Sequence, residues 1–162
     1  MQATLRQTTA TAAIGLYTCI TAAGSTPWQP SIVNCAVGDT MQLHIDFLQC
    51  WDGVNLDSPD HKSHMSCREN VRGAPARCPS THPVMIPQIT LNLNYKITVA
   101  NQTTDWRLSS DNYATTSPGG YSTHADWVNG WDGQTMAGIV KNCLQKNVDG
   151  HAHPLCEGRV FY

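Results

Sequence analysis

Charged side chains are scarce in this sequence, and it has neither long apolar runs nor repeats. Only 14% of the 162 residues are charged, and the formal net charge is −2. This balance excludes a basic nucleic-acid-binding face and a polybasic membrane patch. No apolar run is long enough to span a bilayer, and no repeat of fixed period is visible. The length suits one domain with a buried core, so we assign residues 1–144 to a single β-rich domain and residues 145–162 to a C-terminal tail.

No two cysteines have the Cys-x-x-Cys spacing typical of a thiolate zinc site, although the chain has seven of them. That number in so short a chain favours an oxidising compartment, so the sequence predicts a secreted, disulfide-bonded protein. The spacing suggests three bridges: Cys19–Cys35, Cys50–Cys78 and Cys143–Cys156. Cys67–Cys78 is a rival pairing. If Cys67 is left over, it indicates a reduced thiol, an intermolecular bridge or a partner outside this sequence.

The N-terminal segment lacks the clean apolar centre of a signal peptide, because threonines interrupt its weak apolar stretch at residues 10–23. We predict a strand at residues 13–19 instead, and we expect the chain to be a mature form or a fragment of a longer precursor. The sequon Asn101-Gln102-Thr103 would allow N-glycosylation, which agrees with export.

Apolar and polar residues alternate in two long segments, which predict strands at residues 40–48 and 86–99. Residues 106–109 predict a further short strand. Segments rich in Gly, Pro, Asn and Ser indicate loops at residues 31–38 and 110–120.

One helix is predicted at residues 132–144, where apolar residues recur at helical spacing and Asp132 can act as the N-cap. Together these elements predict a mainly β fold of the α+β class. We expect a compact antiparallel sheet or sandwich with one C-terminal helix and long loops tied by disulfides.

Residues 50–65 contain too few apolar residues for a core segment and too many turn-forming residues for a helix, so they predict a polar loop. His61 and His64 lie three residues apart, so both can reach one divalent metal ion from an extended loop. Asp57 or Asp60 would add an oxygen ligand. The identity of such an ion is not specified by these residues.

His82 belongs to a second short segment, residues 78–83, which the predicted Cys50–Cys78 bridge would draw to the start of the loop. It would complete a metal site with His61 and His64. A different interpretation is that these side chains only cap turns and hold loops, as Asp, Asn and Ser commonly do.

A second polar cluster lies at residues 119–132, where His124 and Asp126 would share one face of an extended segment. Tryptophans occur in both clusters rather than in the apolar strands. Flat indole faces beside polar groups are typical of a sugar-binding cleft, although the same rings could cover a small core between loops. The rings concerned are those of Trp51, Trp127 and Trp131.

Three motifs resemble the signature of a secreted fungal and bacterial family known as domain of unknown function nineteen ninety-six. They are Cys-Trp-Asp-Gly-x-Asn-Leu-Asp-Ser-x-Asp-His-x-Ser-His-Met at residues 50–65, Cys-Pro-Ser-Thr-His-Pro-Val at residues 78–84 and His-Ala-Asp-Trp-Val-Asn-Gly-Trp-Asp at residues 124–132. The resemblance covers roughly residues 5–144 and corresponds to the C-terminal part of the family domain.

The resemblance implies export, a disulfide-supported β-rich fold and a site that uses the motif positions. Family members are sometimes joined to WSC or other carbohydrate-binding modules. They usually carry an N-terminal part with a His-x-His-like motif that has no counterpart here. The chain is therefore expected to be a minimal version, or to receive that part from another chain.

One functional hypothesis is an enzyme that cleaves extracellular polysaccharide by hydrolysis or elimination. Asp52 and Asp126 would be its acid and base, because a glycosidase needs two carboxylates that flank the bond. An imidazole would be an alternative base, or a ligand of an assisting metal; the candidates are His61, His64, His82 and His124. Substrate contacts would come from Trp51, Asn55, Asp57, Trp127, Asn129 and Trp131.

Two other hypotheses use no catalysis, and the sequence does not decide between the three. In one, the protein is a module that binds extracellular carbohydrate or a cell-wall surface with the same side chains. In the other, it is a self-assembling structural subunit of an extracellular filament or coat, in which Cys67 and the tail make contacts between subunits.

Overall fold

Seven strands, one α-helix and a π-helical turn that continues it make up the regular structure of the described residues, which are 15–69, 77–111 and 119–146. The computed structural model divides into two units. The first is formed by the chain up to Phe47 together with Thr90–Asp126, and the second by Leu48–Ile89 together with the chain from Trp127 onward. The boundaries that we assign to a single domain and a tail stay a prediction.

The first unit contains a four-stranded antiparallel sheet with the strand order β2-β1-β3-β7. Its strands are β1 (Gly15–Thr21), β2 (Gly24–Ser25), β3 (Thr40–Asp46) and β7 (Thr90–Lys96). The second unit contains a three-stranded sheet with the order β5-β4-β6 and the helix. Its elements are β4 (Cys50–Trp51), β5 (Met65–Ser66), β6 (Val84–Met85) and α1 (Gly133–Ile139).

The core of the first unit lies on one face of its sheet. Successive side chains of a strand point to opposite faces, so Met41, Leu43 and Ile45 of β3 are all buried on the same side. The register places Tyr17 opposite Leu43 and Cys19 opposite Met41. Each such buried apolar side chain stabilises the fold by about 1.5–3 kcal/mol. The alternation at residues 40–48 therefore predicted both a strand and its buried face correctly.

Two disulfides confirm the predicted pairing. Cys19–Cys35 lies in the first unit and Cys50–Cys78 in the second, which excludes the rival pair Cys67–Cys78. Cys143 is also disulfide-bonded. Its predicted partner, Cys156, lies outside the described residues, as does most of the predicted tail.

The predicted helix and the mainly β fold class are confirmed. Helix α1 begins after Asp132, whose carboxylate accepts the backbone N–H groups of Gln134 and Thr135, and it continues as a π-helical turn at Val140–Leu144. Among the described residues, no helix has both the length and the apolar character needed to cross a membrane.

The predicted short strand at residues 106–109 is wrong. The backbone N–H of Trp106 donates to the carbonyl of Thr103, and that of Leu108 donates to the carboxylate of Asp111. Both backbone N–H groups are therefore satisfied by local turns and not by a neighbouring strand. Four residues are too few for their apolar pattern to distinguish a strand from such a turn. The indole of Trp106 packs edge-on against Tyr95 of β7, with ring centroids 5.4 Å apart.

Asp111 is a buried carboxylate that holds the loops of the first unit together. It accepts the hydroxyl of Ser122 and the backbone N–H of Gly120, both at 2.6 Å, and the N–H of Leu108 at 2.9 Å. Burial raises the pKa of Asp111, but these hydrogen bonds outweigh burial and hold the pKa below its usual value. The hydrogen bonds to Asp111 therefore favour its ionised form.

This lowered pKa predicts an acid-sensitive contribution to stability. Because the folded-state pKa lies below the unfolded value of about 3.9, Asp111 stabilises the unit above about pH 4, and the contribution is lost as the pH falls through the folded-state pKa. We expect the destabilisation caused by Asp111→Asn, measured by urea unfolding, to be largest near neutral pH and to shrink between about pH 5 and pH 2. A destabilisation that is constant across this range would contradict the assignment.

Candidate functional site

The second unit folds residues 52–64, called here the polar loop, into a closed structure at the end of β4. Trp51 pairs with Met65 of β5 on one side and with Val84 of β6 on the other. The backbone N–H of Asp52 donates to the carbonyl of His64 at 3.0 Å, which joins the two ends of the loop. The Cys50–Cys78 disulfide attaches the segment that carries His82 to the same small sheet.

Asp52 organises the first turn of the polar loop. Its carboxylate accepts the backbone N–H groups of Val54 and Asn55, both at 2.9 Å, and the side-chain amide of Asn55 at 2.8 Å. The indole N–H of Trp51 donates to the carbonyl of Asn55. These bonds, that from Val54 most of all, lower the pKa of Asp52. Asp52 is thus an ionised acceptor at neutral pH and is poorly suited to donate a proton as a general acid.

Asp60 organises the second turn, in which His61 has a positive φ of 54°. Its carboxylate accepts the backbone N–H of Ser63 at 2.9 Å and that of Lys62 at 3.0 Å, together with the hydroxyls of Ser58 and Ser63. These bonds hold the pKa of Asp60 well below its usual range, and the N–H of Ser63 has the largest effect. A positive φ is uncommon for a residue with a side chain, and the surrounding hydrogen bonds maintain it.

Asp57 pairs with His61 on the exposed side of the polar loop. Both carboxylate oxygens of Asp57 lie 2.9 Å from Nδ1 of His61, and the backbone N–H of Ser58 donates to one of them at 2.8 Å. The hydrogen bond from His61 is the main reason why the pKa of Asp57 is lowered. Asp52, Asp57 and Asp60 are therefore all ionised hydrogen-bond acceptors at neutral pH.

The hydrogen bonds around Ser58 determine which ring nitrogen of neutral His64 carries the hydrogen. Ser58 Oγ donates its only proton to Asp60 at 2.7 Å, accepts the backbone N–H of Lys62 at 3.1 Å and lies 2.9 Å from Nδ1 of His64. Because that proton is already used, Nδ1 of His64 must carry the hydrogen of this contact. In the neutral imidazole, Nε2 is then the acceptor nitrogen. Half-buried His64 is thus oriented by a serine that is itself oriented by a carboxylate.

His82 connects the two segments of this cluster. Its Nε2 lies 2.9 Å from the carbonyl of Ser63, and its Nδ1 lies 3.0 Å from the hydroxyl of Thr81. A carbonyl can only accept, so Nε2 carries the hydrogen and Nδ1 accepts from Thr81 when the ring is neutral. Both ring nitrogens of His82 are therefore used within the protein.

A metal centre does not fit these side chains. A metal-binding imidazole needs an unprotonated nitrogen directed at the ion. Both nitrogens of His82 bond to protein atoms, so His82 has none to offer. His61 and His64 bond within the loop through Nδ1, so only their Nε2 atoms could act as ligands, and two imidazoles do not complete a site. Within residues 15–69, 77–111 and 119–146, no group of three or more His, Cys, Asp or Glu side chains is arranged to hold a metal ion. We therefore propose no metal function for His61, His64 and His82.

The second motif is divided between the two units. His124 and Asp126 belong to the first unit, where both are exposed and Nδ1 of His124 lies 3.4 Å from the carbonyl of Ser122. Residues 127–131, called here the tryptophan loop, belong to the second unit. That His124 and Asp126 join the polar loop in one catalytic site stays a prediction.

The tryptophan loop exposes two large aromatic side chains. Trp127 is 43% exposed and Trp131 is 50% exposed, and the side chain of Asn129 accepts the backbone N–H of Trp131 at 3.1 Å. This Asx turn lies directly before the N-cap of α1, so the helix start supports the loop. In contrast, Trp51 is half-buried, and its N–H is used internally.

The sequence patterns did not indicate the hydroxyl groups that support this cluster. Ser58, Ser63 and Thr81 each bond to a histidine or to Asp60. One serine lies two residues before Asp60 and another lies three residues after it. This spacing favours turns in which side chains bond to the backbone, and it is the sequence signal that could have indicated these hydroxyl groups.

A family model described as Domain of unknown function (DUF1996) matches residues 2–131 of the chain. The matched residues include the polar loop, the segment of His82 and the tryptophan loop. No curated protein and no solved structure gives a significant match.

Proposed function

The chain belongs to the DUF1996 family, and we propose that its second unit binds extracellular carbohydrate without cleaving it. The observation that carries this proposal is the pair of exposed indoles, Trp127 and Trp131, in one short loop. A tryptophan left in water exposes a large flat apolar surface, which is stabilised when it stacks on the C–H face of a sugar ring. The intervening Asn129 holds the loop between them in a turn.

The carboxylates of the polar loop favour binding over hydrolysis. A glycosidase needs one carboxylic acid that keeps its proton, and therefore has a raised pKa, beside one ionised carboxylate. The pKa values of Asp52, Asp57 and Asp60 are all lowered instead. Ionised carboxylates accept hydrogen bonds from sugar hydroxyls, and Asp57 and Asn55 are exposed in positions open to such contacts.

Secretion is part of this proposal. Two disulfides within the described residues, and a third that includes Cys143, agree with an oxidising compartment in which polysaccharide is the available ligand. Glycosylation at Asn101 would agree with the same route of export.

The test compares three tryptophan variants for retention on insoluble chitin, cellulose, β-glucan and mannan. We expect the protein to bind one of these polysaccharides, and Trp127→Ala and Trp131→Ala each to weaken binding about tenfold, because loss of one stacking contact costs about 1.4 kcal/mol. Trp28→Ala is the matched control, since Trp28 is 36% exposed but lies in the first unit. Its affinity should equal that of the wild type.

Three results would contradict the proposal. The first is that the protein binds none of the polysaccharides in the panel. The second is an equal loss of affinity in the Trp28→Ala variant. The third is the appearance of shortened or unsaturated oligosaccharides after prolonged incubation, since these products would show that the protein cleaves its ligand.

A further inference from the structure

The first unit contains a cavity of about 280 Å³ beside the apolar face of its sheet. Its lining is almost entirely aromatic and aliphatic, and its single charged side chain is Arg107. The lining residues are Tyr17, Ile32, Met41, Leu43, Tyr95, Trp106, Arg107 and Leu108. Such an apolar cavity with one charged group has the composition of a small-molecule site.

The buried and exposed members of the lining show how the cavity is built. Tyr17, Met41 and Leu43 are at most 7% exposed and belong to the core of the unit. Tyr95 of β7 is 43% exposed and contacts Trp106 edge-on, so these two rings lie where the cavity approaches the surface. The cavity therefore extends from the surface to the hydrophobic face of the sheet.

The hydroxyl of Tyr17 is not available to a ligand. It lies 3.1 Å from the carbonyl of Gly120 and 2.9 Å from the hydroxyl of Thr123, and burial raises the pKa of Tyr17 to about 12. Tyr95 and Trp106 each add one neutral polar group to the lining, and Arg107 supplies its charge.

Arg107 has unused capacity to bind an anion. One of its N–H groups donates to the carbonyl of Trp106 at 2.8 Å, and within the described part of the chain it forms no salt bridge. A guanidinium carries five N–H donors in a planar fork, which matches the two oxygens of a carboxylate. A half-buried arginine that has no acidic partner among residues 15–69, 77–111 and 119–146 complements an anionic ligand.

We propose that this cavity binds a small carboxylic acid with an unbranched apolar chain, its carboxylate on Arg107 and its chain against Met41, Leu43 and Trp106. A volume of 280 Å³ equals that of roughly nine water molecules at about 30 Å³ each, which suits a ligand of about ten non-hydrogen atoms such as octanoate. This site lies in the first unit, and its function does not depend on carbohydrate binding by the second.

Isothermal titration of the full chain with octanoate tests the proposal. We expect saturable binding at one site with a Kd on the order of 100 µM, given a ligand of this size. Octanol, which lacks the charge, should bind about tenfold more weakly, and octylamine should not bind. This comparison of ligands uses only the wild-type protein.

Variants then locate the site. Arg107→Gln should weaken octanoate binding at least tenfold, whereas Arg68→Gln, which removes an equal charge from the second unit, should not change it. Leu108→Trp should reduce binding by filling the cavity. The proposal is overturned if octanoate does not bind up to about 10 mM, if octanol binds as tightly as octanoate, or if Arg68→Gln weakens binding as much as Arg107→Gln.

Discussion

Replacing Gly120 with alanine is expected to destabilise the first unit by about 3 kcal/mol or more. Gly120 has a φ of +92°, and a Cβ atom built on it would lie 2.5 Å from the hydroxyl oxygen of Tyr17 and 2.7 Å from Ile32. Both neighbours are packed in or against the core, so neither can move without cost. Gly119 is also closely packed, because a Cβ atom built on it would collide with the carbonyl of Trp106.

Gly38→Ala is the matched control for this substitution. Gly38 has a nearly identical φ of +96°, but an added Cβ there would have no atom within 4 Å. We expect Gly38→Ala to cost only about 1 kcal/mol, which is the backbone strain of the left-handed conformation. The difference between the two variants in the free energy of unfolding, measured in urea, gives the cost of the steric clash at Gly120 alone. Equal destabilisation by both would show that Gly120 is not in contact with the core as described.

Removal of the Cys50–Cys78 disulfide is expected to cost about 3–4 kcal/mol in stability and to abolish carbohydrate binding. The bridge closes a segment with a sequence separation of 28 residues, and the chain-entropy relation gives that magnitude for a loop of this length. It also attaches the segment of His82, whose ring bonds to the carbonyl of Ser63 in the polar loop. Without the disulfide, only that contact and the short pairing of β6 with β4 hold the His82 segment beside the polar loop.

The Cys19–Cys35 disulfide is the appropriate comparison. Its sequence separation of 16 residues predicts a similar loss of about 3 kcal/mol, but it lies in the first unit, away from the polar loop along the chain. We expect the Cys19→Ala/Cys35→Ala protein to bind polysaccharide normally at temperatures where it is folded, and the Cys50→Ala/Cys78→Ala protein to bind none. Normal binding by the latter would separate the polar loop from the proposed function.

Those parts of the fold that depend on local chemistry could be predicted from the sequence. The alternation at residues 40–48 determines which side chains β3 buries, and an aspartate before a run of helical spacing determines where α1 begins. Cysteine order is enough for Cys19–Cys35, which joins neighbouring cysteines, but Cys50–Cys78 passes over Cys67, so order alone left Cys67–Cys78 as an alternative.

Features that depend on long-range packing could not be predicted in this way. The cavity is lined in part by Trp106 and Tyr95 of β7, whose edge-on contact is not encoded by any periodicity. Similarly, residue types suggested that His82 binds a metal, whereas its two nitrogens are used by Thr81 and Ser63. A histidine is a ligand, a base or a support depending on which atoms surround it, and spacing alone does not determine this.

The pairing of β3 with β7 has a consequence for how the chain folds. Asp46 and Thr90 are direct partners in the sheet, yet residues 47–89, which include the whole polar loop, separate them in the chain. Formation of this pair must close a long loop before any contact compensates for the lost entropy, so we expect it to follow the β1–β2 hairpin and the β1–β3 pairing, which close shorter loops. The connection leaves the sheet after Asp46 and returns to it at Thr90, the residue paired with Asp46. Because its two ends are fixed side by side, such a junction tolerates the exchange of the inserted segment for a different one.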